Sequence, residues 1–354
     1  MAHCSGRADG CCRFDVAQSE LTFIVPGLFS APGAEAGLVS KPHTPQLDWL
    51  VAHGEISAND STSIETELLR HFHVLPTPAR VPVAAVSRAF DTGEFEPGVW
   101  MRADPIHLQL GRFGLMLSDP SAISLSAADA EKMVSELAPL FRERSMRLDA
   151  PHPQRWYVQD APVPVSPTIA PHDALGQVVD PSPDDEDTWW RELITEVQMT
   201  LHQSPVNLRL EERGILPVNS LWFWGEGSYN EQPATTFREV WGDDAFELGL
   251  GKLTGANSEW RPTDGGSWLS RISWGGPLLL VCRTGARRTV AWPEFVTAFD
   301  KQWMQPVVNQ LKERRFSTLT IIDPGGTCLR SSRRRRWRRT QTVWELINNT
   351  KNIT

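Results

Sequence analysis

Apolar residues along this chain fall in two kinds of run, dense stretches that suit strands and three-to-four-residue spacings that suit helices. The stretch LTFIV at 21–25 is rich in strand formers and stops at Pro26-Gly27, a strand running into a turn. Thr44 followed by Pro45 opens a helix, with Leu47, Leu50 and Val51 on one face and Gly54 as its stop. Ile64, Leu68, Leu69 and Phe72 repeat the helical spacing, and Pro76 and Pro78 mark a boundary. Beyond it, residues 81–86, 98–101, 106–110 and 115–117 predict short strands punctuated by glycine and proline. Ser126 caps a helix reaching Phe141, and residues 155–158 form another strand. Residues 161–187 are rich in proline and aspartate and read as a linker or exposed loop. A helix follows with Trp189, Leu193, Val197 and Leu201 at i, i+4 spacing. Strands at 220–224, 277–282 and 318–322 and a helix at 293–313 complete the pattern.

Strands alternating with helices at both ends imply a parallel α/β layer, and the middle reads as an α+β insertion. The expected division is a disordered leader at 1–20, an α/β domain at 21–78 plus 186–328, an inserted α+β domain at 79–185 and a basic tail at 329–354. No internal repeat is visible. Hydrophobic residues at 40% and charged residues at 22% exclude wholesale disorder. A net charge of −8 argues against a chain that coats nucleic acid over its whole surface, but the charge is uneven. Residues 330–339 hold seven arginines, which leaves the other 344 residues at −15. The five cysteines are odd in number and include no Cys-x-x-Cys pair, so neither a disulfide framework nor a cysteine-rich zinc site is expected. The apolar run at 21–29 is preceded by Asp9, Asp15 and Glu20, where a secretion signal needs positive charge. The expected location is cytoplasmic, with no membrane association.

A series of motifs then carries a resemblance. TPQLDWLVAHG at 44–54, WMRAD at 100–104, RWYV at 155–158 followed by GQVVDP at 176–181, and PVN at 205–207 with Gly214 and PVNSLWFWGEG at 217–227 stand in this order, with a helix at 295–311 after them. The series resembles archaeal-type cofactor-independent phosphoglycerate mutases of the alkaline phosphatase superfamily. More narrowly, AFDTGE at 89–94, RADPIHL at 102–108, residues 219–227 and the stretch around Trp337 are similar to the RpfE-type bacterial regulatory proteins. The resemblance implies an alkaline-phosphatase-like three-layer α/β fold with a mostly parallel sheet, split by the insertion. The narrower one implies a regulatory role.

The mutases the chain resembles use two divalent metals held by Asp and His, and a serine nucleophile; the cations neutralise charge developing on the phosphoryl oxygens. Their motifs fall here on positions of different chemistry. The first strand, which should end Asp-Gly, ends Val25-Pro26-Gly27. The Ser-Asp pair falls on Asn59-Asp60, with Ser57 and Ser61 close by. A later segment that carries an Asp and a His corresponds to Arg283-Thr284-Gly285-Ala286, which holds neither, and the last Asp-His falls on Asp323-Pro324. Asp60 and Asp323 thus remain as vestigial metal-site positions, and no cofactor is expected, with Mn or Mg required only if the site has been rebuilt. No catalytic residue is assigned.

Other candidates carry two readings each. Arg102, Asn207, Arg209 and Asn219 either line a cleft for a phosphate or carboxylate, or serve the fold, the asparagines at turns and Arg102 in an ion pair. The basic stretch with Arg333, Arg334, Arg335, Arg336 and Trp337 either contacts nucleic acid or an acidic partner, or folds back on the acidic body. His71 and His73 read as a surface pair before a metal site. The acidic run at 184–187 reads as a helix cap, and the Trp222/Trp224 strand as core. The expected function is a non-catalytic regulatory protein that binds a protein partner or a phosphorylated or carboxylated metabolite. The alternatives are an active mutase or related phosphoryl-transfer enzyme with a remodelled metal site, and a nucleic-acid-associated protein.

Overall fold

The LTFIV stretch forms β1 (Ser19–Ile24), followed by α1 (Pro45–His53), β2 (Glu55–Ala58), α2 (Ile64–His71) and α3 (Val83–Thr92). A second group comprises β3 (Trp100–Ile106), β4 (Leu108–Leu110), β5 (Leu115–Leu117), α4 (Ala127–Glu143), β6 (Arg147–His152) and β7 (Arg155–Gln159). It continues through α5 (Pro171–Ala174), α6 (Thr188–His202), α7 (Pro205–Glu212) and β8 (Ser220–Gly227). The chain returns through β9 (Glu239–Gly242), α8 (Ala245–Leu253), β10 (Asn257–Trp260), α9 (Gly265–Leu269) and β11 (Leu278–Val281). It ends with α10 (Trp292–Phe299), α11 (Gln305–Lys312), β12 (Phe316–Asp323), β13 (Thr327–Ser332) and α12 (Val343–Asn349). The computed structural model describes residues 19–30, 40–61, 63–74, 81–161, 169–180, 188–229, 233–283, 291–332 and 341–349. The expected leader up to residue 18, the acidic run and residues 333–340 of the basic stretch lie outside the described residues.

Seven strands form one sheet in the order β10-β9-β11-β1-β12-β13-β2. The first five are parallel, and β13 runs antiparallel to β12 and β2. β1 is central, with Leu21 beside Leu278 on one side and Leu319 on the other. Its side chains alternate between two cores, as the two-residue period of a strand demands. Leu21 and Phe23 pack with Leu47 and Leu50 of α1, Trp268, Val296, Val307 and Val343. Ile24 faces the other way, toward Leu68, Val86, Phe246 and Leu250 of α2, α3 and α8. Helices therefore cover both faces, which makes the expected three-layer α/β arrangement with a mostly parallel sheet. A four-stranded antiparallel sheet, β6-β7-β3-β8, lies beyond α3. Trp100, Tyr157, Trp222 and Trp224 join the core it shares with α2, α3 and α8, while Trp156, Leu221 and Phe223 pack against α4, α6 and α7. The Trp222/Trp224 strand is buried on both faces, as read from the sequence.

Several elements differ from expectation. Residues 81–86 do not form a strand: Val83–Val86 are the apolar first turn of α3, whose polar residues Ser87, Arg88, Asp91 and Thr92 all come after it; Gly93, at φ 77°, ends the helix in the left-handed conformation. The antiparallel sheet takes in β8, so that layer extends to Gly227 where the expected insertion stopped at 185. β13 belongs to the main sheet and α12 packs on the α1 side, so residues 329–332 and 343–349 are part of the folded body and not of a tail. Ser19 and Glu20, assigned to the leader, are already in β1. On α6 the buried side chain is Trp190, with Leu193, Ile194, Val197 and Leu201, and Trp189 sits half-buried beside it.

The start of α1 depends on a residue far along the chain. Thr44 makes no side-chain capping bond. Instead Asp300 accepts from the backbone N–H of Leu47 at 2.7 Å and of Gln46 at 3.3 Å. Asp300 opens the π-helical turn Asp300–Met304 that joins α10 to α11. Replacing Asp300 by Ala leaves two helix-start donors unpaired, and an unfolding titration should show a loss of about 1–3 kcal/mol.

Candidate functional site

Ligands of open α/β sheets bind at the carboxyl ends of the parallel strands, and the polar groups at that edge of this sheet form the candidate site. The turn after β1 is closed by Asp323, the last residue of β12. Its carboxylate accepts the N–H of Gly27 at 2.7 Å, the N–H of Phe29 at 2.8 Å and the hydroxyl of Ser30 at 3.2 Å. The side chain is wholly buried, and burial pushes its pKa up to about 6 against the pull of those donors. Asp60, its expected companion, lies just after β2 with its side chain 92% exposed and paired to Arg70 at 3.2 Å. Asn59 connects the two regions, donating its N–H to the Gly326 carbonyl at 3.0 Å. Ser61 is buried and donates its hydroxyl to Glu67, which pairs with His71 at 3.1 Å.

At the end of β11 stands Arg283, buried in a cage of acceptors. Its guanidinium reaches Glu65 of α2 at 2.9 Å and Glu247 of α8 at 3.0 Å, and His172 Nε2 of α5 at 3.3 Å. Its backbone N–H donates to Asp243 at 2.9 Å, and Asp243 also accepts from Arg261 at 2.7 Å. Glu247 does double service, because its Oε1 also accepts the backbone N–H groups of Asp243 and Asp244 in a capping box that starts α8. Two buried carboxylates share one cation here. For Glu65, burial raises the pKa but Arg283 outweighs it; for Glu247, burial prevails over Arg283 and the pKa rises to about 7. Burial and then Arg283 lower the pKa of His172.

The ionic layer extends onto β3. Arg102 forms a bidentate pair with Asp104 at 2.8 Å for each bond, lies over the Trp224 ring, and has Asp244 3.8 Å from its Nη1. That Nη1 is buried and has no hydrogen-bond partner. Trp224 donates its indole N–H to Asp104 at 2.7 Å. Burial opposes the charge on Asp244, but Arg102 and Arg283 bring its pKa down to about 2. Farther along, Asp91 of α3 receives Arg155 and the Tyr157 hydroxyl, both of β7, at 2.6 Å each.

The four residues of the expected anion cleft are not brought together. Arg102 lies in this ionic layer. Asn207 is buried on α7 and holds the Leu201 and Val218 carbonyls and the Val218 N–H. Asn219 clasps both backbone groups of Leu108 at 2.7 Å. Arg209 is on the surface, paired with Asp129 at 2.9 Å. The two asparagines thus serve the fold, Arg209 sits in a surface ion pair, and Arg102 is held by acids. Sequence reading missed Glu65, Asp91, His172, Asp244 and Glu247. Two signals were present: Arg102 and Asp104 share one strand face by their spacing, and Asp244 with Glu247 has the spacing of a capping box.

The residues at this edge do not fit a two-metal centre. Both Asp323 oxygens are engaged by backbone donors, Asp60 faces solvent, and Glu65 and Glu247 are paired with a guanidinium. Among the described residues no three His, Cys, Asp or Glu side chains converge closely enough to hold an ion.

Two outcomes follow from these contacts. Asp323→Asn keeps one acceptor oxygen for donors that used two, and should cost about 1–3 kcal/mol in an unfolding titration. Glu247 has a folded pKa of about 7 against 4.5 for an unperturbed glutamate, so its contribution to stability is complete below 4.5 and lost as pH rises through 7. Glu247→Gln should therefore flatten the stability–pH curve across this window, removing a fall of about 1–3 kcal/mol.

No family model matches the chain. A curated relative, the 2,3-bisphosphoglycerate-independent phosphoglycerate mutase of Methanosarcina barkeri, is 26% identical over 223 residues, covering 58% of this chain and 52% of the mutase. The chain thus matches about half the length of that relative. Among solved structures, the PH0037 protein of Pyrococcus horikoshii aligns with a TM-score of 0.51 at 14% identity, over 91% of this chain and 89% of that one, which shows a shared fold. The cofactor-independent phosphoglycerate mutase of Thermoplasma acidophilum aligns over 95% of this chain and 98% of its own at 14% identity, but its TM-score of 0.46 adds no weight. The chain is thus similar in sequence to a 2,3-bisphosphoglycerate-independent phosphoglycerate mutase over about half of each, and it shares the mixed α/β fold of the PH0037 protein.

Proposed function

We propose that this chain is a non-catalytic regulatory protein of the RpfE type, which keeps a phosphoglycerate-mutase-like scaffold and acts by binding a protein partner or a phosphorylated or carboxylated metabolite. The observation that carries this reading is Arg283. Two-metal phosphoryl transfer needs carboxylates and imidazoles free to coordinate cations, and a buried guanidinium paired with Glu65 and Glu247 is the opposite arrangement. The engagement of Asp323 with the turn after β1 supports it as well. A ligand at this edge would meet Arg102, whose Nη1 has no hydrogen-bond partner beside Asp244.

A second reading, an active phosphoryl-transfer enzyme with a rebuilt site, draws on one observation. Ser61 lies next to Asp60 and gives its hydroxyl proton to the Glu67 carboxylate, the kind of contact that activates a serine nucleophile. Purified protein, incubated with 3-phosphoglycerate and Mn²⁺ beside an Asp60→Ala/Asp323→Ala control, should form no 2-phosphoglycerate. Turnover that disappears in the control would overturn the non-catalytic reading.

A further inference from the structure

The groups around Arg283 have the donor chemistry of a cation cage. Glu65 Oε1, Glu247 Oε2 and His172 Nε2 lie 2.9, 3.0 and 3.3 Å from its terminal nitrogens. A guanidinium carries donors only, so the His172 nitrogen that faces it is the unprotonated one, with its lone pair turned inward. Carboxylate oxygens and an imidazole lone pair aimed at one positive centre are what divalent ions ordinarily take. These groups come from three separate elements, α2, α5 and α8, and converge on a residue that follows a core strand of the parallel sheet.

We propose that the Arg283 guanidinium is a built-in replacement for a divalent cation: it supplies the positive charge at this edge of the sheet, and the site accepts a planar cation in preference to a metal ion. This rests on the reading that metal chemistry has been lost and says how the charge was retained. The shape of the guanidinium matters. It is wider than a bare ion and holds Glu65 and Glu247 on different nitrogens, where a metal would draw both to a single centre. Its charge is also permanent, whereas a metal site fills and empties with supply.

The test begins with the intact protein, stripped with EDTA and titrated with Mn²⁺ while its melting temperature and heat of binding are followed. No saturable response is expected. A saturable response that is lost in Glu65→Gln or Glu247→Gln would overturn the proposal. Arg283→Ala should melt well below the wild type, and millimolar methylguanidinium should restore part of the loss where methylammonium at the same concentration does not. A variant that melts like the wild type, or that both cations restore equally, would also overturn it. Should Arg283→Ala not fold, the wild-type titration and Arg283→Lys carry the test, with Lys expected to melt below the wild type because a point charge cannot bridge both glutamates. Mn²⁺-dependent mutase turnover that survives Glu65→Gln and Glu247→Gln would defeat the non-catalytic reading, yet leave Arg283 as the cation of its cage.

Discussion

Two glutamates and one arginine, all buried, set the terms for the rest of the molecule. Removing a charge from water costs several kcal/mol, and a buried pair recovers this only with good geometry and with its remaining polar atoms satisfied. Arg283 meets that condition by engaging acceptors from three elements, and Glu247 by also serving as the cap of α8. The end of β11, the start of α8 and the first turn of α2 are consequently fixed relative to one another by charge as well as by apolar contact. The second sheet is tied to the same region, because Arg102 reaches Asp104 on its own strand and Asp244 at the start of α8.

The central sheet is legible from the sequence wherever a strand is bounded by turn residues. The 21–25 and 318–322 runs are such cases, and both are core strands. The helix α3 escapes such a reading because its first turn, Val83–Val86, is a short apolar run that suits a strand equally well, and its polar positions come only after it. β13 is hidden for another reason: its Arg330 and its serines suit an outer strand, and the arginines that follow make the whole stretch look like a tail. The candidate site is legible only in part. Arg102 stands out by its motif, and its partner Asp104 lies two residues away in the same motif. Glu65 and Arg283 are 218 residues apart, and no local pattern in either neighbourhood announces the other.

The likeness to the Methanosarcina mutase is one of sequence over about half of each chain, and the likeness to the PH0037 protein is one of fold. At the ends of β1, β11 and β12 stand Pro26, Arg283 and Pro324, none of which has a side chain that ordinarily ligates a metal. A core strand tolerates only residues that pack, whereas the loops at strand ends are free to change their chemistry while the fold persists. At one such strand end the carboxylate of Asp323 holds the turn after β1 in place.

The central position of β1 bears on how the chain is made. Both of its neighbours, β11 and β12, come from the last third of the sequence, with Leu21 set beside Leu278 and Leu319. During synthesis, β1 emerges early and stays with both hydrogen-bonding edges open until some 250 further residues have followed. Pairings of such long range are slow to form, and unpaired apolar strands are prone to associate with other chains in the meantime. A product cut short before β11 would keep both edges of β1 unpaired.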